Sequence, residues 1–69
     1  MTALKIRLNG ADEEVNDGMT ITGLIEMLEL NPKSVAVERN LEIVPKSRHG
    51  STELKPDDRI EIVEFVGGG

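Results

Sequence analysis

Hydrophobic and polar residues alternate at the start of the chain. In the segment LKIRL, residues 4–8, every second residue is apolar, which is the period of a strand with one buried face. Asn9-Gly10 follows directly and favours a tight hairpin turn. We therefore predict a hairpin whose second, shorter strand runs through residues 13–15 and ends at the turn cluster Asn16-Asp17-Gly18.

The hydrophobic spacing changes after this hairpin. Apolar residues at positions 21, 24, 25 and 28 recur at intervals of three and four, which is the stripe of an amphipathic helix. Thr20 or Thr22 is suited to cap its first turn. Pro32 disfavours helical dihedrals at Asn31, so the helix is predicted to end near Leu30.

The second half of the chain indicates three further strands. SVAVERN and LEIVP form two short ones on either side of Asn40-Leu41, and RIEIVEFV forms the last. In this last strand, alternation places Ile60 and Ile62 on the buried face. The intervening stretch is polar, and Pro56-Asp57-Asp58 within it is typical of a turn.

The predicted order of elements, with two hairpin-like pairs around one helix, points to an α+β domain. A mixed five-stranded sheet packed on the main helix buries the apolar positions together, and the β-grasp arrangement places the first and last strands side by side and parallel in the middle. We expect this domain to span residues 1–66, with a flexible glycine tail at 67–69. The predicted core is Leu4, Ile6, Leu8, Ile21, Leu24, Ile25, Leu28, Val35, Val37, Ile60 and Ile62.

Composition narrows the classes of function. The formal net charge is −5 and Phe65 is the single aromatic residue, so a nucleic acid partner is not expected. With no cysteine in the sequence, thiolate zinc sites and cysteine nucleophiles are excluded. No nucleophile and base pair is visible, so we expect a protein that is not an enzyme. No stretch reaches the roughly 20 apolar residues of a membrane span, and the cytoplasm is the expected compartment.

The sequence closes on Gly67, Gly68 and Gly69. Three residues without side chains have the smallest cross-section a peptide can have, so they suit a tail that threads into a narrow channel of another protein. The carboxylate of Gly69 would then be the reactive group, and its activation by ATP and magnesium needs a separate enzyme. We expect no cofactor or metal to be bound by the chain itself. A disordered terminus or a glycine linker is the alternative.

The chain resembles the ubiquitin-like sulfur carrier family, most closely the thiazole-biosynthesis (ThiS) group within it. The resemblance covers nearly the whole sequence, through IRLNG, TITGLIEMLEL, VAVERNLEIVP and LKPDDRIEIVEFVGGG. Two turns depart from the family pattern: Asn40-Leu41 stands where Asn-Gly is common, and Pro56-Asp57-Asp58 where Asp-Gly-Asp is frequent. Because leucine disfavours a left-handed conformation, a longer or different turn is expected at Asn40-Leu41.

The resemblance implies a function for the glycines. In this family a partner similar to ubiquitin-activating enzymes (ThiF-type) adenylates the terminal carboxylate, which a sulfur donor such as a cysteine desulfurase route then converts to a thiocarboxylate. Thiazole synthase (ThiG-type) takes up that sulfur. By position, Gly69 is the modified residue, Gly68 completes the diglycine and Gly67 serves only in threading.

Phe65 and Val63 lie next to this tail. Strict alternation places both on the face opposite Ile60 and Ile62, unless a bulge returns Phe65 to the core. An exposed aromatic beside a functional terminus is a candidate partner anchor, so we predict that Phe65 and Val63 contribute to a partner interface. A role for Phe65 at the rim of the core is the alternative.

The single histidine and the adjacent aspartates are expected to be solvated. His49 has no second histidine or cysteine near it in the sequence, so a surface loop is favoured over a metal site. The Asp57-Asp58 pair lacks the spacing of a metal-binding loop and is expected in a solvated turn.

Three functions besides the thiazole sulfur carrier fit the sequence. The small subunit of molybdopterin synthase shares the implied fold, diglycine and chemistry but tends to be longer. A ubiquitin-like protein modifier would be joined to lysines through Gly69. A β-grasp binding module with an inert tail is the third candidate.

Overall fold

The computed structural model of the chain describes residues 2–65. Five strands and one α-helix follow one another, with short 3₁₀ helices at Pro32–Ser34 and Lys46–Arg48. The main elements are β1 (Ala3–Leu8), β2 (Ala11–Asn16), α1 (Ile21–Met27), β3 (Val35–Arg39), β4 (Glu42–Val44) and β5 (Arg59–Glu64).

The five strands form one mixed sheet in the order β2-β1-β5-β3-β4. The first and last strands are parallel neighbours, and the other pairs are antiparallel. The predicted α+β, β-grasp architecture is therefore confirmed. The expected boundary between domain and tail stays a prediction, because the segment 66–69 lies outside the described residues.

The buried face of the sheet and α1 share one hydrophobic core. The predicted core is confirmed except at Leu28, which is only partly buried, and it gains Val15 and Leu54. Leu54 comes from the polar stretch before β5, where its backbone N–H donates to the carbonyl of Met19 over 2.8 Å. This hydrogen bond holds the stretch against the start of α1, so that a leucine among polar neighbours becomes 2% exposed.

The helix begins where the sequence predicts and ends earlier. Thr20 caps it by accepting a hydrogen bond from the N–H of Gly23, whereas the predicted end near Leu30 is wrong. Glu29 adopts a left-handed φ of 60°, and its N–H and that of Leu30 donate back to the carbonyls of Glu26 and Ile25. These two bonds form a Schellman motif, which closes the helix before Pro32 has any effect.

The two hairpins also differ in detail from expectation. β2 has six residues rather than three, and it pairs with β1 along its whole length, from Ala3↔Asn16 to Leu8↔Ala11. The prediction of a longer or different turn at Asn40-Leu41 is wrong. These two residues alone connect the pair Arg39↔Glu42, and both have positive φ, 53° and 73°, as a type I′ turn requires.

Candidate functional site

Phe65, the last residue that the structure describes, is held at the end of β5. This strand lies in the centre of the sheet, between β1 and β3. The backbone N–H of Phe65 donates to the carbonyl of Ser34 over 2.7 Å, which continues the β5–β3 ladder to the last described residue. The segment 66–69 therefore starts beside a backbone held on the sheet.

Apolar side chains surround this exit on the face of the sheet away from the helix. We call Ala36, Ile43, Val63 and Phe65 the exit patch. Val63 and Phe65 are 58% and 57% exposed, and Ile43 is 73% exposed. Ala36 lies directly opposite Val63 on β3. The alternation thus continues through β5 and no bulge returns Phe65 to the core, although its role as a partner contact stays a prediction.

Part of the exit patch lines a shallow hollow. A cavity of about 180 Å³ is lined by Ile43, Pro45 and Phe65 and by residues 35–37 of β3. A hollow of this kind is suited to receive an apolar side chain of another protein. The sequence did not identify Ile43 as part of the site, although the signal was present: of the adjacent residues Ile43 and Val44, only one is able to face the core.

Acidic side chains border the exit patch. Glu38 lies directly opposite Glu61 on β5 and opposite Ile43 on β4, and like charges in that position destabilise a sheet. Among residues 2–65 the ion pairs are Arg7–Asp12 and Arg39–Asp58, so neither glutamate has a basic partner there. The face that carries the exit patch is therefore suited to a partner surface with basic side chains.

Asp58 was expected in a solvated turn, and this prediction is wrong. Only 5% of Asp58 is exposed, because its carboxylate accepts hydrogen bonds from the Lys55 N–H and from the Arg39 and Asn40 side chains. Burial raises the pKa of Asp58, but these three hydrogen bonds outweigh it and hold the pKa below its usual value. Asp58 thus joins the turn before β5 to the β3–β4 hairpin.

His49 was expected on a surface loop, and the structure buries it as well. It is 5% exposed, and its Nε2 donates to the carbonyl of Val44 over 2.9 Å. Its own carbonyl accepts from the N–H of Thr22 at the start of α1. The histidine therefore packs the loop after β4 against the helix and has a structural role.

Residues 2–65 contain no group of three acidic, histidine or cysteine side chains placed to hold a metal ion. No helix among them is long and apolar enough to cross a bilayer. The predicted modification site Gly69 and the threading residues Gly67 and Gly68 lie outside the described residues.

Comparisons with known proteins place the chain in context. A sulfur carrier protein ThiS of Bacillus subtilis is 48% identical over 65 residues, which is 93% of this chain and 98% of the relative. The crystal structure of a thiamine biosynthesis protein (ThiS) from Geobacter metallireducens superposes with a TM-score of 0.81 at 28% identity, covering 96% of this chain and 100% of that one.

A second kind of relative is much longer. A thiazole synthase of Magnetococcus marinus is 44% identical over 66 residues, which is 96% of this chain. This chain spans about a fifth of that protein, because the match covers 20% of its length, and the same share applies to a thiazole synthase of Paramagnetospirillum magneticum. These thiazole synthases therefore contain, within one polypeptide, a region similar to nearly all of this chain.

The model of the ThiS family matches residues 5–69, which includes all five strands except the first residues of β1. This match, the relative of nearly equal length and the shared β-grasp structure agree with one another. The chain belongs to the ThiS family.

Proposed function

We propose that this chain is a sulfur carrier for the thiazole part of thiamine biosynthesis and that the carboxylate of Gly69 is the group that carries the sulfur. The observation that carries the proposal is the combination of a fixed exit and an exposed apolar patch: Phe65 is bonded to Ser34 and Val63 is exposed beside it. The folded domain binds a partner through this patch, and the tail that follows supplies the reacting carboxylate.

The proposed chemistry takes place at Gly69, on partner enzymes. A ThiF-type enzyme binds ATP and magnesium, and the carboxylate attacks the α-phosphorus, so that an acyl adenylate forms and pyrophosphate leaves. A persulfide, supplied by a cysteine desulfurase route, then attacks the acyl carbon and displaces AMP. A second thiol cleaves the resulting acyl disulfide, leaving the thiocarboxylate on Gly69 and a disulfide on the enzyme. Thiazole synthase takes the sulfur.

In these steps, this chain binds the partner enzymes and brings the carboxylate of Gly69 into their active sites. Gly67 and Gly68 carry no Cβ, so an extended tail is able to pass a narrow channel. Because a flexible tail costs ordering entropy on binding, the affinity is expected to come from the exit patch rather than from the glycines. The chain itself performs no bond-breaking step in this scheme, and the cytoplasm is the compartment we propose for it.

The thiazole pathway is favoured over molybdopterin synthesis by the relatives. A ThiS protein matches this chain over 98% of its own length at 48% identity, and two thiazole synthases contain a similar region. Attachment of the chain to lysines of other proteins, as a ubiquitin-like modifier, would use the same activated Gly69. The product formed after adenylation distinguishes the two functions: a sulfur carrier ends in a thiocarboxylate, whereas a protein modifier is joined to a lysine.

Intact mass spectrometry tests the proposal. The chain ending at Gly69 is incubated with the adenylating enzyme of its own organism, ATP, magnesium and a persulfide donor. We expect a mass increase equal to the difference between one sulfur and one oxygen atom, which disappears when Gly68 and Gly69 are deleted. An unchanged mass, together with normal thiamine synthesis by cells that carry the truncated chain, would overturn the carrier function.

Replacing Phe65 tests the exit patch. The Phe65→Ala variant is expected to keep its folding stability within about 0.5 kcal/mol, because the side chain is largely exposed, and to bind the adenylating enzyme about tenfold more weakly. Leu41→Ala is the matched control, since Leu41 is an exposed apolar residue in the turn at the opposite end of the sheet. Calorimetry measures both quantities. If Phe65→Ala destabilises the fold and leaves binding unchanged, Phe65 belongs to the rim of the core.

A further inference from the structure

Strand β5 extends beyond its neighbour β1. The parallel pairing of the two strands consists of Arg7↔Arg59 and Leu8↔Ile60, after which β1 ends and the chain turns at Asn9-Gly10. On its other side, β5 pairs with β3 as far as Val35↔Glu64. From Glu61 onward, β5 therefore has a neighbouring strand on one side only.

The hydrogen bonds show which backbone groups face the open side. Arg59 and Phe65 bond towards β3, through Asn40 and Ser34, so the odd-numbered residues of β5 face that strand. Ile60 bonds in the opposite direction: its carbonyl accepts from the N–H of Asn9 over 2.9 Å. The even-numbered residues, Glu64 among them, face the side of β1.

The side chain of Asn9 forms hydrogen bonds with the backbone of one of these residues, Ile62, but not with that of the next one, Glu64. Its side-chain amide accepts from the N–H of Ile62 over 2.9 Å and donates to the carbonyl of the same residue over 3.4 Å, so it takes the place of a strand residue there. Glu64 is the next even-numbered residue of β5, two positions after Ile62. By this alternation its N–H and carbonyl face the side of β1, beyond the last β1–β5 pair Leu8↔Ile60 and beyond the bonds of Asn9 to Ile62, and the residue is exposed.

An open edge of this kind is a template for a further strand, and proteins use it to bind extended segments of their partners. Three features define the occupant. The edge runs directly into residues 66–69, it lies beside the exposed side chains of Val63 and Phe65, and it is flanked by Glu61 and Glu64. The complementary segment is extended, apolar where it contacts the exit patch and basic beside the glutamates.

We propose that thiazole synthase adds such a segment as a strand alongside β5, with hydrogen bonds to the backbone N–H and carbonyl of Glu64. This inference rests on the proposed carrier function. The presence of a similar region within thiazole synthase polypeptides supports this enzyme as the occupant.

Amide hydrogen exchange tests the proposal directly. In the free protein the N–H of Glu64 is expected to exchange much faster than that of Ile62, which Asn9 protects. Saturation with the thiazole synthase of the same organism is expected to slow exchange at Glu64 by about tenfold or more. Fast exchange at Glu64 in the saturated complex would overturn strand addition. Slow exchange at Glu64 in the carrier alone, becoming slower as its concentration rises, would instead assign the edge to a second copy.

Two variants separate the backbone of Glu64 from its side chain. Glu64→Pro removes the N–H that faces the open side, a position where a strand tolerates proline, whereas Glu64→Ala keeps the N–H and removes the charge. We expect both variants to fold. Glu64→Pro should bind thiazole synthase about tenfold more weakly and Glu64→Ala within about threefold of the parent chain. Equal binding by the proline and alanine variants would contradict the proposal.

A failure of the proposed strand addition is distinguishable from a failure of the carrier function. If the mass increase at Gly69 occurs and Glu64 nevertheless exchanges fast in the complex with thiazole synthase, the carrier function stands and strand addition is wrong. If the mass increase does not occur and cells that carry the truncated chain still make thiamine normally, the carrier function fails. Protection of Glu64 by thiazole synthase would then show an interaction that does not depend on the thiocarboxylate.

Discussion

Leu41 occupies a backbone conformation that is unfavourable for its side chain. Its φ is 73° and 72% of its surface is exposed, so the residue combines left-handed strain with an apolar side chain in water. A left-handed conformation costs an ordinary residue roughly 1–2 kcal/mol. The two-residue connection between β3 and β4 is kept despite this cost because the pairing of Arg39 with Glu42 requires it.

Replacement of Leu41 by glycine is therefore expected to stabilise the protein. Leu41→Gly should raise the free energy of unfolding by about 1 kcal/mol, since glycine adopts positive φ without strain. Urea denaturation measures the change. Leu41→Ala is the control, because alanine keeps the strain and removes only exposed apolar surface. A glycine variant no more stable than the alanine variant would show that the backbone at residue 41 is not strained.

Asp58 gives the stability of the fold a dependence on pH. The three hydrogen bonds to its carboxylate hold the folded-state pKa below the unfolded value near 3.9. The stabilisation they provide is therefore complete above about pH 4 and is lost as the pH falls through the folded-state pKa. Acid is expected to weaken the connection between the β3–β4 hairpin and β5 before it affects the apolar core.

The variant Asp58→Asn tests this dependence. At pH 7 it is expected to be less stable by about 2 kcal/mol, because an amide is unable to accept all the hydrogen bonds of a buried carboxylate. As the pH falls below about 4, the difference from the parent chain should become smaller. Denaturation measured at a series of pH values provides the comparison. A difference that stays constant from neutral to acid pH would contradict the lowered pKa.

At the scale of elements, Asn9 lengthens β1 without adding a residue to the strand. Its side chain makes both hydrogen bonds to the backbone of Ile62, while its own φ of 50° begins the turn to β2. Asparagine tolerates a left-handed backbone better than most residues. One residue thus closes the β1–β2 hairpin and covers the neighbouring part of β5.

The variant Asn9→Gly separates these two roles, because glycine keeps the turn and removes the side chain. The free energy of unfolding is expected to fall by about 2 kcal/mol for two lost hydrogen bonds. Exchange of the Ile62 amide should rise towards the rate of the Glu64 amide. An Ile62 amide that stays protected in this variant would show that Asn9 does not cover β5.

Local patterns predicted the elements because each depends on neighbours in sequence. Alternation located β1 and β5, and the helical stripe located α1. The helix end was misplaced because Glu29 adopts a conformation that usually marks a glycine. The burial of Asp58 was missed for a different reason: its partner Arg39 lies 19 residues away, and short-range patterns carry no information about such a contact. Alternation favoured an outward position for Phe65, and the structure, in which Phe65 is 57% exposed, excludes the bulge that the sequence had left open.

At the scale of the whole molecule, the chain carries a net negative charge, and part of it lies beside the exit patch. The sequence has a net charge of −5, and Glu38 and Glu61 lie opposite each other beside the exit patch, neither of them in an ion pair with another residue of the described chain. Complementary charges accelerate encounters between proteins. The acidic surface is therefore expected to act mainly on the rate at which partners associate.

Salt provides the test of this expectation. The association rate constant with the adenylating enzyme should fall as the ionic strength rises from about 0.01 to about 0.15 M, where the screening length shortens to about 8 Å. The dissociation rate constant should change little, because the exit patch is apolar. Stopped-flow mixing at several salt concentrations gives both. An association rate that does not depend on salt would show that electrostatic steering plays no part in the encounter.

The parallel pairing of β1 with β5 also has a consequence for the order in which the chain folds. Without β5 the sheet separates into two hairpins, β1–β2 and β3–β4, that share no strand contact. Contacts between the two ends of a chain are the last that a growing polypeptide is able to make. The strand that anchors the tail is thus the strand that completes the fold. Under the proposed function, an incompletely folded chain would lack both the exit patch and the strand edge, and its glycines would not be presented for activation.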